Sequence, residues 1–467
     1  MTRSGRTTGS KMAEYNIIYG PPGTGKTTRL LEIIDFEMGE MNVPSDKIAF
    51  VTFTRKGANE GINRAAGKFN LPPEAFPYFK TLHSFAHSFN KEKIMRVRDM
   101  FDFASKTGIN IDANSNNCGE DQIYMDYIEL YRNNRNAAAK ILPEIDGGKA
   151  LWIMRQYRSY KDTFSVVDFT DIIENYEGPA PVDVAIIDEA QDLTTLQWQM
   201  VHKAFSHCKR VYIAGDDDQA IFEWSGADVN AFLSLKGHTE TLSKSYRLPD
   251  NLVHYARHIT DNIHNRIDKE YSGNGTKGII EVVNKPSEIY LDRNEEYLLL
   301  SRNKYQQKWY TEWLDKLCVP YLINGELVYN DKDLKAITEW TRLQRQGSMT
   351  KHDVYMFSRI LKGDADLSKP WYEVFDWTDD KILYMRDRLS HKQVMQPPKI
   401  NISTIHQVKG GEADNVVILS DMSKKCKVQF DIMPDAEHRV FYVGVTRARK
   451  TLTLIKPMSR TSYNCLC

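Results

Sequence analysis

The sequence predicts an α/β protein of parallel sheets flanked by helices, and three observations carry that expectation. The first is an apolar, aromatic-rich run at 15–19 that enters G-P-P-G-T-G-K-T (20–27) and continues into a helical segment at 27–38. The second is a pair of short apolar runs, Val184–Ile187 and 210–214, each ending in carboxylates, where an open α/β sheet presents its ligands. The third is size and composition. The chain has 467 residues, 41% hydrophobic and 27% charged, with 26 Gly and 17 Pro, which suits roughly two to four globular domains. That balance excludes a disordered or collagen-like chain. No apolar stretch approaches the ~20 residues of a membrane span.

The segment 20–27 matches G-x-x-x-x-G-K-[ST] in full, between a strand and a helix as the motif requires. Its glycines allow backbone N–H groups to surround phosphate oxygens at the positive end of a helix. The candidate nucleotide-binding residues are therefore Gly20, Pro21, Pro22, Gly23, Thr24, Gly25, Lys26, Thr27 and Thr28. Lys26 would neutralise the β- and γ-phosphates, and Thr27 would ligate Mg²⁺. In 181–192, P-V-D-V-A-I-I-D-E-A-Q-D, Asp188 is the second candidate metal ligand and Glu189 the candidate base for an attacking water. Gln219, just beyond the strand at 210–214, is placed to sense the γ-phosphate. Residues 165–240 carry 14 Asp/Glu against 4 Lys/Arg, a concentration of acid suited to a metal site. Asp217, Asp218 and Asp228 read as solvated turn residues within it.

Nine segments together resemble superfamily 1 DNA helicases of the UvrD/Rep/PcrA type. In the order of that family they are GPPGTGKT (20–27), VTFTRKGANE (51–60), TLHSFA (81–86), VDFTDII (167–173) and IIDEAQDL (186–193). AGDDDQAIFEWSGAD (214–228), LSKSYRLPDNL (242–252), ISTIHQVKGGEADNVVIL (402–419) and EHRVFYVGVTRARKTLTLI (437–455) follow. The resemblance implies two RecA-like P-loop domains, each with a mainly helical insertion, that sandwich ATP. It implies that Arg247 and Arg447 of the second domain reach the γ-phosphate as arginine fingers, that Tyr246 stacks on the adenine, and that Glu412 lies near the ribose. Lys26, Glu189, Gln219, Arg247 and Arg447 form the expected catalytic set, with ATP and Mg²⁺ as cofactors. Relatives usually carry a base-reading glutamine about fifteen residues before the phosphate loop. No Gln precedes Gln122 here, so relaxed nucleotide selectivity is expected.

Single strands are held by aromatic faces and by polar or basic groups on phosphates. Phe53, Thr54, Arg55, Thr81, His83, Phe222, Trp224, Thr404 and His406 are the residues that the motifs offer for this. The implied activity is an ATP-dependent helicase or translocase on single-stranded DNA and ss/ds junctions, a monomeric motor that replication or repair proteins could recruit. The aromatic stretch 219–224 resembles that of 3′→5′ motors. A single-strand translocase that displaces proteins but unwinds poorly, or a nucleotide-gated loading module, are the competing expectations.

The expected organisation is a leader at 1–11, a first RecA-like domain at 12–87 and 165–240, and its helical insertion at 88–164. The second RecA-like domain is expected at 241–333 and 397–467, with an insertion at 334–396, far shorter than the family's usual duplex-contacting one. Twelve residues follow position 455, and no nuclease domain is expected among them. The leader has no apolar core of a secretory signal, and Met12 is a possible natural start. Six cysteines, none in C-x-x-C spacing, point to a reducing compartment, hence the cytoplasm, nucleoid-associated in a bacterial or phage-infected cell.

The net charge of zero averages unlike parts: 15 basic and 10 acidic groups in 1–100, and 27 and 20 in 301–467. DNA binding is therefore expected to lean on stacking and a few phosphate contacts, with a shallow dependence on salt. A log–log salt slope as steep as that of a strongly basic binder would contradict it.

Overall fold

A computed structural model describes residues 14–111, 119–292, 294–317, 319–327, 331–390 and 398–466. The expected leader, which includes the position of the family's base-reading glutamine, most of the Asn-rich loop at 110–117, and Cys118, Cys318 and Cys467 lie outside the described residues. The chain divides into two compact units, Met1–Arg247 with Ile263–Asn274, and Leu248–Asn262 with Gly275–Cys467. No helix among the described residues is long and apolar enough to cross a membrane.

The first unit begins β1 (Glu14–Tyr19), α1 (Lys26–Gly39), β2 (Ile48–Thr52), α2 (Arg55–Phe69), β3 (Phe79–Thr81) and α3 (Leu82–His87). Four helices are inserted next: α4 (Val97–Thr107), α5 (Gln122–Asn133), α6 (Arg135–Ile141) and α7 (Gly147–Phe164). Then come α8 (Phe169–Glu174), β4 (Val184–Ile187), α9 (Thr195–Ala204), β5 (Arg210–Gly215), α10 (Val229–Leu233) and β6 (His238–Thr241). The strands form one six-stranded sheet in the order β3-β2-β4-β5-β1-β6, parallel throughout.

The strands read as unbroken apolar runs because both faces are covered. Ile17, Ala49, Val51, Ala185, Ile187, Val211 and Ile213 pack on one side with α3, α8 and α9. Their alternates Ile18, Ile48, Phe50, Val184, Ile186, Tyr212 and Ala214 pack on the other with α1. The insertion has a core of its own around Phe103, Ile128, Ile153, Tyr157 and Tyr160. Arg132 and Lys161 tie it to α8 through Asp168 and Asp171, with every N–O separation between 2.6 and 2.8 Å.

The second unit contains α11 (Asp250–Thr260), β7 (Ile279–Val283), β8 (Tyr297–Ser301), α12 (Gln307–Lys316), β9 (Leu322–Ile323) and β10 (Glu326–Leu327). Its insertion is α13 (Asp331–Gln346), α14 (Lys351–Phe357), α15 (Trp371–Val374) and α16 (Asp379–Ser390), closed around Trp340, Phe357, Trp371, Phe375 and Tyr384. β11 (Ile400–Thr404), β12 (Ala413–Leu419), α17 (Lys424–Ile432), α18 (Pro434–Val445) and β13 (Ala448–Ile455) complete it. The seven strands run β10-β9-β11-β8-β12-β13-β7, parallel except for the β9–β10 hairpin. That hairpin departs from the all-parallel expectation for a local reason. Asn324 (φ 53°) and Gly325 (φ 81°) form a left-handed two-residue turn, the Asn-Gly signature of a tight antiparallel connection.

A second difference concerns where the units meet along the chain. Residues 241–247 and 263–274, expected in the second domain, belong to the first unit. The physical reason is electrostatic. Asp217 and Asp218 are not solvated turn residues but 0% and 1% exposed, and their cations come from 263–274. Asp228 is half-buried and caps α10, accepting from the Ala231 amide at 3.1 Å.

Candidate functional site

The carboxyl ends of β1, β4 and β5 place the motif residues side by side. The Gly20 amide donates to the Gly215 carbonyl (3.0 Å), so the phosphate loop starts against the end of β5. Gly23 and Gly25 have φ of 72° and 81°, a backbone that side chains disfavour, and α1 begins immediately afterwards at Lys26. Lys26 Nζ donates to the Gly20 carbonyl at 3.2 Å and pairs with Glu189 Oε1 at 3.5 Å. A methyl group on Gly20 would overlap the Lys26 side chain, so only glycine lets the lysine lie back over the loop.

Asp188 is the first residue after β4 and is buried. Burial, then the neighbouring Glu189 carboxylate, pushes its carboxyl up to about 7, against the pull of Lys26. Such a carboxylate is short of positive charge, which is the condition that a divalent cation relieves. No group of three or more His, Cys, Asp or Glu able to hold a metal occurs among the described residues. One carboxylate and the Thr27 hydroxyl nevertheless fit Mg²⁺, which takes few protein ligands and completes its shell with phosphate and water.

The sign of the pH effect follows from linkage. Asp188 ionises near 3.8 when unfolded and near 7 when folded, so the cation-free protein takes up a proton on folding and loses stability as pH rises across that window. Mg²⁺ with nucleotide requires the ionised form. Its stabilising increment in Tm is expected to grow from about pH 6 to pH 8, and Asp188→Asn should abolish that growth. An increment independent of pH in the unmodified protein would contradict the assignment.

Glu189 sits in the left-handed region (φ 54°), a strained conformation for a residue with a side chain. Gln191 holds it there. Its Nε2 donates to Glu189 Oε2 at 2.6 Å, and its Oε1 accepts from the Asp216 amide at 3.0 Å. Asp216 Oδ2 in turn accepts from Gln219 Nε2 at 2.7 Å. A continuous path therefore runs from Lys26 through Glu189, Gln191 and Asp216 to Gln219. Gln191 has no role in the sequence reading. Its only signal there was a polar side chain two positions after Glu189 in a segment that folds into the core.

Ser245 Oγ donates to the Pro22 carbonyl (2.7 Å) and the Tyr246 amide to the Gly23 carbonyl (2.8 Å). These bonds correct one expectation. Arg247 belongs to the first unit, carried on the phosphate loop, and not to the second domain. Tyr246, 71% exposed, lies beside Gly25 and is open for stacking. In the second unit Arg447 is buried, its guanidinium donating to the carbonyls of Val443 (2.8 Å) and Gly411 (3.4 Å). Glu412 pairs with Arg449 at 3.3 Å.

The candidate strand contacts divide in the same way. Phe53 and Phe222 stack with centroids 5.8 Å apart, and Trp224 is 56% exposed. The Trp224 turn is backed by the insertion, where Asn134 Nδ2 donates to the Gly226 carbonyl at 3.1 Å. Arg55 is exposed at the start of α2. Thr54 and Thr81 cap α2 and α3, accepting from the amides of Gly57 (3.1 Å) and Ser84 (3.3 Å). His83 packs edge-on against Phe169, and burial lowers its pKa. Thr404 and His406 lie in the second unit. The Thr404 hydroxyl donates to Gln407 Oε1 at 3.0 Å. Burial, then Arg302 and Lys409, lowers His406 to about 3, so it is neutral at physiological pH. Trp224→Ala is expected to weaken single-strand affinity by ~1–3 kcal/mol, the worth of one stacked base. Unchanged affinity in a fluorescence titration would remove Trp224 from the strand path.

Comparison with known proteins agrees with this geometry. The profile of the UvrD/REP helicase N-terminal domain matches residues 1–240, and that of the UvrD-like helicase C-terminal domain matches 380–459. The chain is 22% identical over 374 residues to the ATP-dependent DNA helicase Rep of Buchnera aphidicola, covering 70% of this chain and 55% of that protein. It is 22% identical over 388 residues to a probable DNA helicase II homolog of Mycoplasma pneumoniae, covering 72% of this chain and 51% of the relative. Over 379 residues it is 23% identical to the ATP-dependent DNA helicase PcrA of Staphylococcus aureus, covering 70% and 51%. The chain thus spans about half the length of the relatives it matches.

Proposed function

The chain belongs to the UvrD/REP helicase family, and on that premise we propose that it is an ATP-dependent motor that moves 3′→5′ on single-stranded DNA and separates strands. One observation carries the reading. The hydrogen-bonded path from Lys26 and Glu189 ends at Gln219, three residues before the Phe222 ring that stacks on Phe53. Phosphate chemistry and strand contact are thereby joined within one short segment.

In this proposal the phosphate loop and Lys26 hold the triphosphate, and Tyr246 stacks on the base. Thr27 and Asp188 would hold Mg²⁺, which would supply positive charge to offset that of the phosphates. Glu189 orients the attacking water and accepts its proton. Gln219 senses the γ-phosphate, Arg247 and Arg447 neutralise phosphoryl charge, and Glu412 meets the ribose. Phe53, Phe222 and Trp224 stack on bases. Thr54, Arg55, Thr81, His83, Thr404 and His406 complete the strand path. Single strands and ss/ds junctions are its substrates, and the cytoplasm of a bacterial or phage-infected cell, at the nucleoid, is its place of work.

The test is ATP hydrolysis with and without single-stranded DNA, repeated with Lys26→Ala. Strong stimulation by the strand, lost in the variant, is expected; little stimulation would overturn the proposal. Unwinding only of duplexes with a 5′ overhang would reverse the polarity. Because no Gln occurs before Gln122, kcat/KM for GTP is expected to lie near that for ATP, and a strict ATP preference would refute this. The compact insertion Asp331–Ser390 favours a second reading, a translocase that displaces proteins and unwinds poorly. Strand separation measured beside protein displacement distinguishes the two.

A further inference from the structure

Between β6 and β7 the chain changes unit three times. It leaves the first unit after Arg247, forms α11 in the second, returns for Ile263–Asn274, and leaves again at Gly275. The returning segment is a strap whose docking is electrostatic and almost wholly buried. Lys269, 2% exposed, pairs with Asp216 at 3.2 Å, with Asp218 at 2.9 Å and, at closer range, with Asp217. Arg266 grips Asp218 with two parallel bonds of 2.8 and 2.9 Å, and the Ile267 amide donates to Asp217 Oδ2 at 2.8 Å. Three adjacent carboxylates at the end of β5 are thus satisfied by one twelve-residue segment.

Isolated buried charges are costly, and removing one partner of such a group destabilises more than the pair itself contributes. The strap therefore has one seat, and its register on β5 is strongly specified. What it holds is the Asp217–Gln219 turn, with Asp216 bonded to Gln219 on one side and to Gln191 on the other. At its other end α11 begins directly after Ser245–Arg247, the segment bonded to the phosphate loop. Within the second unit α11 packs on α18, the helix that leads to Arg447. The two segments that flank α11 in the chain, both part of the first unit, are thus bonded one to the phosphate loop and the other to the sensor turn.

We propose that Lys269 and Arg266 are positioning residues: they clamp the strap to Asp216–Asp218 so that displacement of α11 resets Gln219 and the Phe222–Trp224 turn together, which couples strand binding to hydrolysis. This inference rests on the motor function proposed above. Neither residue meets nucleotide or strand in that scheme, so the clamp acts on coupling and leaves the basal reaction intact.

The test uses the full chain and measures ATPase kcat and KM with and without a poly(dT) strand, together with poly(dT) affinity and Tm. The double variant Asp217→Asn, Lys269→Met removes one acid and one base together, so the net charge of the cluster is unchanged; Asp218 keeps Arg266, and Asp216 keeps its bond from Gln219. Expected are basal kcat, KM and poly(dT) affinity within about twofold of the unmodified protein, with stimulation by the strand reduced at least tenfold. Arg266→Gln, at the edge of the cluster where the side chain is 14% exposed, is the milder second variant should the double one fold poorly, and Arg266→Lys is expected to restore part of the stimulation. Unaltered stimulation in a folded variant overturns the clamp. So does a parallel fall of basal rate, affinity and stimulation, which marks a merely structural role. Absence of stimulation in the unmodified protein is a different result, because it overturns the motor function itself.

Discussion

Glu189→Gln is expected to slow ATP hydrolysis by ~10²–10⁴-fold, the usual worth of a positioned general base, while nucleotide affinity changes only a few-fold. The substitution keeps shape and keeps an oxygen able to accept from Gln191, so the left-handed turn at 189 has the same support. It removes the negative charge that attracts a proton from water, and the ion pair with Lys26. It also removes one of the two main causes that raise Asp188, so the pH dependence of cation binding should move to lower pH. Single-turnover hydrolysis with saturating ATP is the measurement. A rate within tenfold of the unmodified protein would exclude Glu189 as the base and would favour a nucleotide-gated binding module.

Lys26→Ala is expected to lower kcat/KM by at least ~10²–10³-fold, since it deletes a preorganised positive charge at the transferring phosphoryl. Unlike Glu189→Gln, it should also weaken nucleotide binding, because the lysine acts on ground-state phosphates as well. The loop geometry argues for a local effect. Lys26 lies over Gly20, and the loop retains its bonds to Gly215 and to Ser245–Tyr246 without it. The variant leaves Glu189 without its cation, so a modest loss of Tm is expected beside the kinetic loss. Retained hydrolysis with retained affinity would show that the loop does not hold the triphosphate.

Much of this site was legible in the chain because its chemistry is local. A glycine-rich turn between strand and helix, and a carboxylate at a strand end, are constraints that neighbours in sequence impose on one another. β4 and the Asp188–Glu189 pair were read at the residues where they stand, and the helix after the phosphate loop differs by one residue at each end. The β9–β10 hairpin was missed although its Asn-Gly turn is equally local, because strands of two residues leave no periodicity to detect.

The remaining features depend on residues far apart in sequence. Gln191 reads as one polar residue among several until the fold brings it between Glu189 and Asp216. The aspartates at 216–218 read as solvated until Lys269, more than fifty positions away, is found buried against them. Composition and pattern by themselves determined that parallel α/β sheets carry a phosphate loop and a metal-suited acid pair, since each such element is specified by its own few residues. Only the tertiary structure decided that Arg247 rides on the phosphate loop and that 263–274 crosses back to the first unit. The physical reason is that buried charge must be neutralised by whatever cation the fold can deliver, and no local rule of sequence says which one that is.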